Sequence, residues 1–461
     1  MRQADVIELV HDQLFPILKR QREHLHRIDR WYRWDHEPPQ LPKRASSEHK
    51  ALVELSRTPW LGLVVTAVAQ MLYVDGYRSP DGDDAAPWRI WEANQFTARQ
   101  VPLHRAVLAF GYAYATALPG QDDAGESMTV LRGHSPRKMA AIYGDDVEDD
   151  WPMYALRGEP QPGKTWALRM YDEDAVYYLS ADADGDSITY IEDRGHGAGV
   201  CPVVRYSNML DLDGRETGEV EPFIPVAARI NKTDYDRMLA QHFNSWKVRA
   251  VAGMAEPDDE GERDRVKMLL RQEDLLVAED PDTKFTTLDE TPLNGFIDAH
   301  ESDIETLAAV TQTPNHALTG KMINLSAEAL AAAEANLGRK VTERKHAFGK
   351  SHDQLLRLAA ALQGDGDAAR DTTAHVTWAD MESRSLAQAV DALGKAAQML
   401  GVPPQGLWAR IPGVTKTDVE EWQRMAEQSD ALGQLNQIIE RQMTPAPEQG
   451  EQPGSAGAVA G

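Results

Sequence analysis

One uninterrupted helical pattern decides the architecture of this chain: SAEALAAAEANLGRKVTERKHAFGKSHDQLLRLAAAL, residues 326–362. Its large apolar residues stand seven or four positions apart, the near-3.5 period of a narrow seam packed against one neighbour. They are Leu330, Leu337, Val341, Phe348, Leu355 and Leu362. At about 1.5 Å per residue the helix spans roughly 55 Å, more than the width of a small domain. We expect a kink at Gly338 or Gly349, because glycine weakens a helix by about 1 kcal/mol relative to alanine.

The same helix carries a basic run in an otherwise acidic chain. From Arg339 to Lys350 there are five basic residues and one acid, Glu343. One interpretation is a solvated face on a core helix. The other is a helix that faces a polyanion inside an assembly, where modest positive charge on a negative background limits sticking.

The segments before the long helix alternate between helical and strand patterns. A helical arm spans residues 5–34 with a break or kink at Pro16, and two further helical stretches span 46–71 and 87–117. From Met128 to Tyr206, short alternating runs separated by Gly, Pro and Asp predict an antiparallel β region. This order predicts an α+β protein that is mainly helical.

Two helices flank an acidic insert in the middle of the chain. Helical patterns span 222–246 and 292–310, and the insert between them, 248–290, is predicted to hold one helix at 262–271 between short strands. A turn-rich stretch, TQTPNHALTGKMIN, follows at 311–324. After the long helix we expect a strand over 374–378, two or three helices within 385–400, 405–410 and 417–439, and a disordered tail beyond Thr444.

Composition excludes several classes of protein. The 461 residues include 48 Lys+Arg and 73 Asp+Glu, so the net charge of −25 argues against a surface that binds nucleic acid or anionic lipid throughout. Cys201 is the single cysteine, which excludes an intramolecular disulfide and any multi-cysteine metal site. The uncharged run 58–74 is at the short end of a membrane span, and we interpret it as a buried helix. Acids at positions 5, 8 and 12 argue against an export signal.

Two strings imitate ligand-binding motifs. Gly158–Thr165, GEPQPGKT, satisfies the phosphate-loop pattern, but its two prolines remove backbone donors and a strand-like run follows, so we predict a hairpin loop. Asp182–Asp186, DADGD, resembles the start of a calcium loop, but the acid that should close the loop is one residue late, so we predict a β-turn. No motif pairs a nucleophile with a base or sets histidines at metal spacing, so we expect no enzyme, no cofactor and no metal.

Three quoted stretches resemble a known family. They are LSRTPW at 55–60 running into LGLVVTAVAQMLYVDGYR, TPNH at 313–316, and NLSAEALAAAEANL at 324–337. Together with the order of elements, they resemble portal proteins of long-tailed, siphovirus-type bacteriophages, the head-to-tail connector family. The resemblance covers roughly residues 25–430 and is most specific over 313–363.

The resemblance implies a ring, usually a dodecamer, around a central DNA channel, with wing, stem, clip and crown regions. On this chain the regions would be 1–221 wing, 222–246 stem helix, 247–291 clip, 292–312 second stem helix, 313–325 tunnel loop, 326–384 long wing helix and return strand, 385–440 crown and 441–461 disordered tail.

The implied function is mechanical. The ring would occupy one capsid vertex of the virion after assembly in the host cytoplasm, pass DNA in during packaging and out during ejection, and dock other proteins. The implied partners are further copies of this chain, the terminase large subunit, a head-tail adaptor, the major capsid or scaffold protein, and double-stranded DNA bound without sequence specificity. No membrane is implied.

Cations and polar groups near the channel are the candidate site. In the tunnel loop the candidates are Lys321, His316, Asn315 and Asn324, with Lys321 first because it is the cation of the loop. On the long helix the candidate channel-side residues are Arg339, Lys340, Arg344 and Lys345. Two alternatives stay open at this point: a P-loop NTPase based on Gly158–Thr165, and another structural protein of head assembly.

Overall fold

The computed structural model describes thirteen stretches of the chain. They are residues 1–36, 47–79, 82–83, 85–121, 125–244, 249–252, 284–287, 291–321, 327–379, 386–411, 413–414, 418–419 and 421–428. Residues Met1–Ala379 form one compact unit, and a second begins at Asp380.

The described part of the first unit contains eleven α-helices. In chain order they are α1 (Gln3–Leu9), α2 (Phe15–Tyr32), α3 (Ser47–Ser56), α4 (Trp60–Ala69), α5 (Ala85–Ala93), α6 (Phe96–Phe110), α7 (Ile224–Asn244), α8 (Asn294–Thr311), α9 (Asn315–Thr319), α10 (Ala327–Leu362) and α11 (Gly366–Arg370).

The strands pair antiparallel throughout. They are β1 (Val74–Ser79), β2 (Gly82–Asp83), β3 (Tyr112–Gln121), β4 (Ser127–His134), β5 (Met139–Ile142), β6 (Tyr154–Gln161), β7 (Thr165–Tyr171), β8 (Ala175–Ala181), β9 (Ile188–Gly195), β10 (Val203–Ser207), β11 (Arg249–Ala252), β12 (Lys284–Thr287) and β13 (His375–Trp378). They form four sheets, in the orders β13-β1-β2, β10-β3-β4, β11-β12 and β5-β6-β7-β8-β9. The α+β class with an antiparallel β region is confirmed.

The predicted long helix is α10, and it continues without interruption through Gly338 and Gly349. Four seam residues, Leu337, Val341, Phe348 and Leu355, are buried in the main core. That core also takes side chains from α4, α5, α6, β3 and β10. The long helix therefore packs its apolar seam into the main core of the first unit, as the near-3.5 period predicted.

A second core holds the N-terminal arm on the five-stranded sheet. Val6, Val10, Leu14 and Leu18 are fully buried against residues of β6, β7 and β8. The arm does not break at Pro16. Instead a π-helical turn, Val10–Leu14, joins α1 to α2, and the wider turn accommodates a proline that has no N–H to donate.

Two of the predicted helices have different bounds. The stretch 46–71 is divided into α3 and α4 at residues 57–59, where Pro59 precedes α4. The expected helix to Ala117 was wrong beyond Phe110. Gly111, with a φ of +96°, ends α6 in the left-handed region, and Tyr112–Thr116 pairs with β10 instead. Residues 113–117 are all buried in the sheet, and the paired strand provides the packing that decides strand over helix.

Within the uncharged run at 58–74, α4 (Trp60–Ala69) is the buried helix that we expected, and Val74 already belongs to β1. By length and composition Ser47–Ala69 is long and apolar enough to cross a membrane. In this fold, however, α4 places Leu61, Val64, Val65 and Val68 in the main core. Core burial explains its hydrophobicity.

Both motif-like strings are turns between antiparallel strands. Gln161 pairs with Thr165 across the β6–β7 hairpin, whose loop holds Gly163 and Lys164 at positive φ. The Asp182 carboxylate accepts hydrogen bonds from the backbone N–H groups of Gly185 and Ser187. No helix follows Thr165, so the backbone cradle of a phosphate loop is not formed there.

Helices α7 and α8 run antiparallel beside each other. Arg229 forms an ion pair with Asp303 (2.7 Å), Asp234 lies 3.2 Å from His300, and Asn244 bonds the backbone of Thr291. At their far ends β11 and β12 form a two-stranded ribbon, as the two short strands of the insert predicted. The helix expected at 262–271 lies outside the described residues.

In the second unit the described elements are a helix, α12 (Leu386–Leu400), a 3₁₀ segment, Pro404–Arg410, and a short helical stretch over 421–428. Trp408 and Trp422 contact each other edge to face, with ring centroids 6.0 Å apart. The predicted tail lies outside the described residues.

Candidate functional site

The turn-rich segment after α8 is a short helix anchored by one leucine. Pro314, with extended backbone, opens α9, and Gly320 ends it at a φ of +66°. Leu318 is buried in the main core, which fixes the segment against α4 and α8. The residue after Gly320, Lys321, is thereby held at the surface at a defined position.

Lys321 forms an exposed ion pair. Its Nζ lies 2.7 Å from Glu301 Oε1 on α8, and both side chains are more than half exposed. The hydrogen bond from Lys321 lowers the pKa of Glu301. Because solvent screens exposed pairs, this pair contributes little to stability, and an incoming anion displaces Glu301 at little cost.

The other tunnel-loop candidates have different environments. Asn315 is exposed at the start of α9, while His316 is partly buried with Nε2 3.5 Å from Glu334 Oε1 on α10. Asn324 lies outside the described residues. The structure thus brings Lys321 and Asn315 to the surface and turns His316 toward the long helix.

Two of the four candidate cations on α10 are buried around one carboxylate. Lys340 Nζ donates to Glu219 Oε2 (2.6 Å) and to the Thr311 carbonyl (2.8 Å), and Arg344 Nη2 donates to Glu219 Oε1 (3.3 Å). All three charged side chains are at most 6% exposed. Burial lowers the pKa of Lys340, and the attraction of Glu219 opposes that shift. We call Glu219, Lys340 and Arg344 the ion cluster.

The ion cluster connects three parts of the unit. Glu219 belongs to the segment that precedes α7, Thr311 is the last residue of α8, and both cations lie on α10. Buried Lys340 and Arg344 point into the protein, so in this conformation neither side chain is available to a ligand in solvent. Arg339 is exposed, and Lys345 is half-buried with Nζ 3.5 Å from the Ala379 carbonyl.

A chain of hydrogen bonds crosses the core beside α10. His104 Nδ1 is 3.2 Å from the Leu72 carbonyl, its Nε2 is 2.8 Å from His352 Nε2, and His352 Nδ1 is 2.9 Å from the Tyr206 hydroxyl. Neutral tautomers in which Tyr206 donates to His352, His352 to His104 and His104 to Leu72 satisfy every atom. Burial lowers the pKa of His104 to about 4 and that of His352 well below its usual value.

Sequence reasoning missed Glu219 and the histidine chain. A signal for the buried cations was present: Leu337, Lys340, Arg344 and Phe348 are spaced by three or four residues, so both cations lie on the apolar seam. No local signal marks Glu219, His104 or Tyr206, because their partners are distant in sequence.

The arrangement is suited to electrostatic contact and positioning. Within the described stretches no three His, Cys, Asp or Glu side chains group as potential metal ligands. Exposed Lys321 offers three N–H donors to an anion, and the ion cluster fixes the end of the helix from which its loop departs.

Comparison with known proteins identifies close relatives. A family model described as "Phage portal protein, SPP1 Gp6-like" matches residues 11–432. The portal protein of Mycobacterium phage D29 is 25% identical over 445 residues, covering 92% of this chain and 90% of the relative. The portal protein of Mycobacterium phage L5 is 26% identical over 393 residues, covering 80% and 79%.

Proposed function

Since this chain belongs to the SPP1 Gp6-like family of phage portal proteins, we propose how its parts serve the portal function. The protein forms a homo-oligomeric ring at one capsid vertex of the virion, with twelve subunits, assembled in the host cytoplasm. DNA enters through this ring during packaging and leaves through it during ejection. The family is structural, so the free energy for packaging comes from the terminase large subunit rather than from this chain.

The described elements support a division into portal regions. The antiparallel pair α7 and α8 forms the stem, and the β11–β12 ribbon beyond it belongs to the clip, which meets the terminase and later the head-tail adaptor. The N-terminal arm, the β region and α10 form the wing, facing the major capsid or scaffold protein. The second unit from Asp380 forms the crown.

The tunnel loop, 313–325, meets the DNA. Lys321 is the group that contacts phosphate, with Asn315 beside it as a hydrogen-bond donor. Glu301 holds Lys321 between contacts, so each phosphate replaces one carboxylate and no contact is strong. The ion cluster contributes indirectly: Lys340 binds the carbonyl of Thr311, which ends the stem helix and begins the loop.

The exposed ion pair between Lys321, which follows α9, and Glu301 of α8 carries this proposal. It is tested with Lys321→Glu in phage particles. We expect ring assembly to be unchanged, at about 614 kDa for twelve chains of 51.2 kDa, and packaged DNA to fall severalfold, because twelve repulsive carboxylates would face the phosphates.

The matched control is Lys50→Glu, the same charge change at an exposed lysine on α3. A second variant, Glu301→Gln, keeps the cation and removes its partner. Lys50→Glu should package DNA at the wild-type level, whereas Glu301→Gln should slow the movement of DNA, because its unpaired lysines hold phosphate more strongly. Normal packaging by Lys321→Glu would remove Lys321 from the mechanism, and equal losses in Lys321→Glu and Lys50→Glu would point to a global effect of charge.

A further inference from the structure

A cationic cleft lies between α2 and the β6–β7 hairpin. It is a cavity of about 560 Å³ lined by four cations, Lys19 and Arg22 from the helix, Lys164 from the hairpin loop and Arg137, and by one acid, Glu23. One face of Trp166 forms part of the wall, and the Arg22 guanidinium lies 4.9 Å from its ring centroid.

Three of the four cations of the cleft form no ion pair with an acid in the described part of the chain. Among the described residues, Lys19 donates to a backbone carbonyl, that of Asp184, and neither Arg22 nor Lys164 forms an ion pair. A fourth cation of the lining, Arg137, is paired with Asp29. In a protein of net charge −25, such a group of unpaired cations favours an acidic partner.

The same sheet carries a loop of opposite charge, in which acidic side chains are exposed and unpaired within the described part of the chain. The sequence DDVEDD, residues 145–150, holds five exposed carboxylates between β5 and β6, and none forms an ion pair within the described part of the chain. We call residues 145–150 the acidic loop. Asp145 caps the turn by accepting from the N–H groups of Val147 and Glu148, so the loop is ordered by local hydrogen bonds.

The cleft and the acidic loop lie at opposite ends of one strand. The acidic loop precedes β6, and the hairpin that carries Lys164 follows it. The eight residues of β6 separate the two by roughly 25 Å at about 3.3 Å per residue. The two patches therefore differ in charge, lie on opposite ends of the wing sheet, and cannot satisfy each other within one chain.

We propose that the cationic cleft of one subunit receives the acidic loop, residues 145–150, of a second copy of this chain. Contact between two different patches is heterologous and repeats head to tail until it closes into a ring. With twelve subunits each copy turns by about 30°, so the two patches must face nearly opposite directions, as the ends of β6 do. The inference rests on the proposed ring and names the surfaces that form it.

Charge reversal on each patch tests the contact. One variant is Lys19→Glu with Lys164→Glu in the cleft, and the other is Asp146→Lys with Glu148→Lys and Asp150→Lys in the acidic loop, which changes the net charge of the loop from −5 to +1. We choose these side chains because they are solvent-accessible and none forms an ion pair among the described residues. The control carries Arg20→Glu and Arg27→Glu, two exposed arginines on α2 that do not line the cleft.

The readout is the mass distribution of each purified full-length protein, with circular dichroism as a check that each variant folds. The wild type and the control should form the ring. For each reversed variant alone, the fraction of protein in the ring species should fall at least ten-fold, because like charges then face each other at every interface. An equimolar mixture of the two reversed variants should recover it, since every interface then joins opposite charges.

The outcomes are distinct. If both reversed variants form rings alone, or if the folded mixture stays dissociated, the proposed contact is overturned while the portal function stands. If the wild type remains monomeric at every concentration and salt tested, the ring proposal fails and the contact fails with it. Recovery in the mixture alone supports the contact, because a non-specific effect of charge would not be cured by a second defective variant.

Discussion

Neutralising Glu219 is the most informative perturbation of the fold. Glu219→Gln keeps the shape of the side chain but leaves Lys340 and Arg344 buried without their shared carboxylate. Removal of one partner from a buried ion pair costs about 3–5 kcal/mol, because an uncompensated charge stays in a medium of low polarity. For a unit of 379 residues an unfolding entropy of about 0.8 kcal/mol/K converts this loss into a Tm decrease of roughly 5 °C.

Lys340→Met gives the matched comparison. It leaves Glu219 paired with Arg344, which also contacts Glu343, so the loss is the bond to the Thr311 carbonyl and one attraction. We expect about 1–3 kcal/mol. The order of the two variants therefore matters more than either value, and urea unfolding of both proteins at pH 7 measures it.

The pH dependence provides a second readout. In Glu219→Gln the attraction that opposes the lowering of the Lys340 pKa is lost, so that pKa falls further below 10.5. Between the folded and unfolded pKa values the unfolded chain binds more protons, so the free energy of unfolding rises with pH in this window. The variant should regain stability between pH 7 and pH 10 more steeply than the wild type. Two results would refute the ion cluster as the cause of the lost stability. One is an equal decrease in the free energy of unfolding for Lys340→Met and Glu219→Gln. The other is an equal dependence of stability on pH in Glu219→Gln and the wild type.

Two further predictions concern the core and one turn. Lowering the pH from 7 to 5 should destabilise the protein, because His104 has a pKa of about 4 when folded and near 6.5 when unfolded. This histidine alone contributes about 2 kcal/mol of the loss at pH 5, and urea unfolding of His104→Gln should show a smaller dependence on pH. Gly111→Ala should cost about 2 kcal/mol, because φ is +96° and the new Cβ would lie 3.0 Å from the backbone N of Gly218. Gly295→Ala, where a Cβ meets open space, should change the Tm little. A larger decrease in Tm for Gly295→Ala than for Gly111→Ala would contradict the strain argument.

The apolar seam of α10 was predictable because a helix of 36 residues repeats its period many times. Short elements carry weaker signals. Tyr112–Ala117 reads equally well as the end of a helix or the start of a strand, and the outcome depends on its pairing with β10, nearly ninety residues away. The break at Pro59 was visible in sequence, but the uniformly apolar residues around it hid the boundary between α3 and α4.

The candidate site was also predictable only in part. The residue type of Lys321 and its place in a turn-rich stretch indicated an exposed cation, and the structure shows it exposed. Lys340 and Arg344 were assigned to a channel-facing surface by their charge, although their spacing from Leu337 and Phe348 places them on the buried seam. Charge alone cannot distinguish a solvent-facing cation from one that a distant carboxylate neutralises, and Glu219 is more than a hundred residues from both.

A channel that passes DNA needs contacts that are numerous and individually weak. Affinity for a polyanion rises steeply with the number of cations free to displace its counterions, so twelve unpaired lysines in one ring would hold a duplex in place. In this chain Lys340 and Arg344 are sequestered by Glu219, and Lys321 is paired with Glu301 at the surface. In the proposed ring, each phosphate must therefore compete with a carboxylate. The exchange of one carboxylate for one phosphate at each step lets the duplex advance through the proposed ring without a deep minimum in free energy.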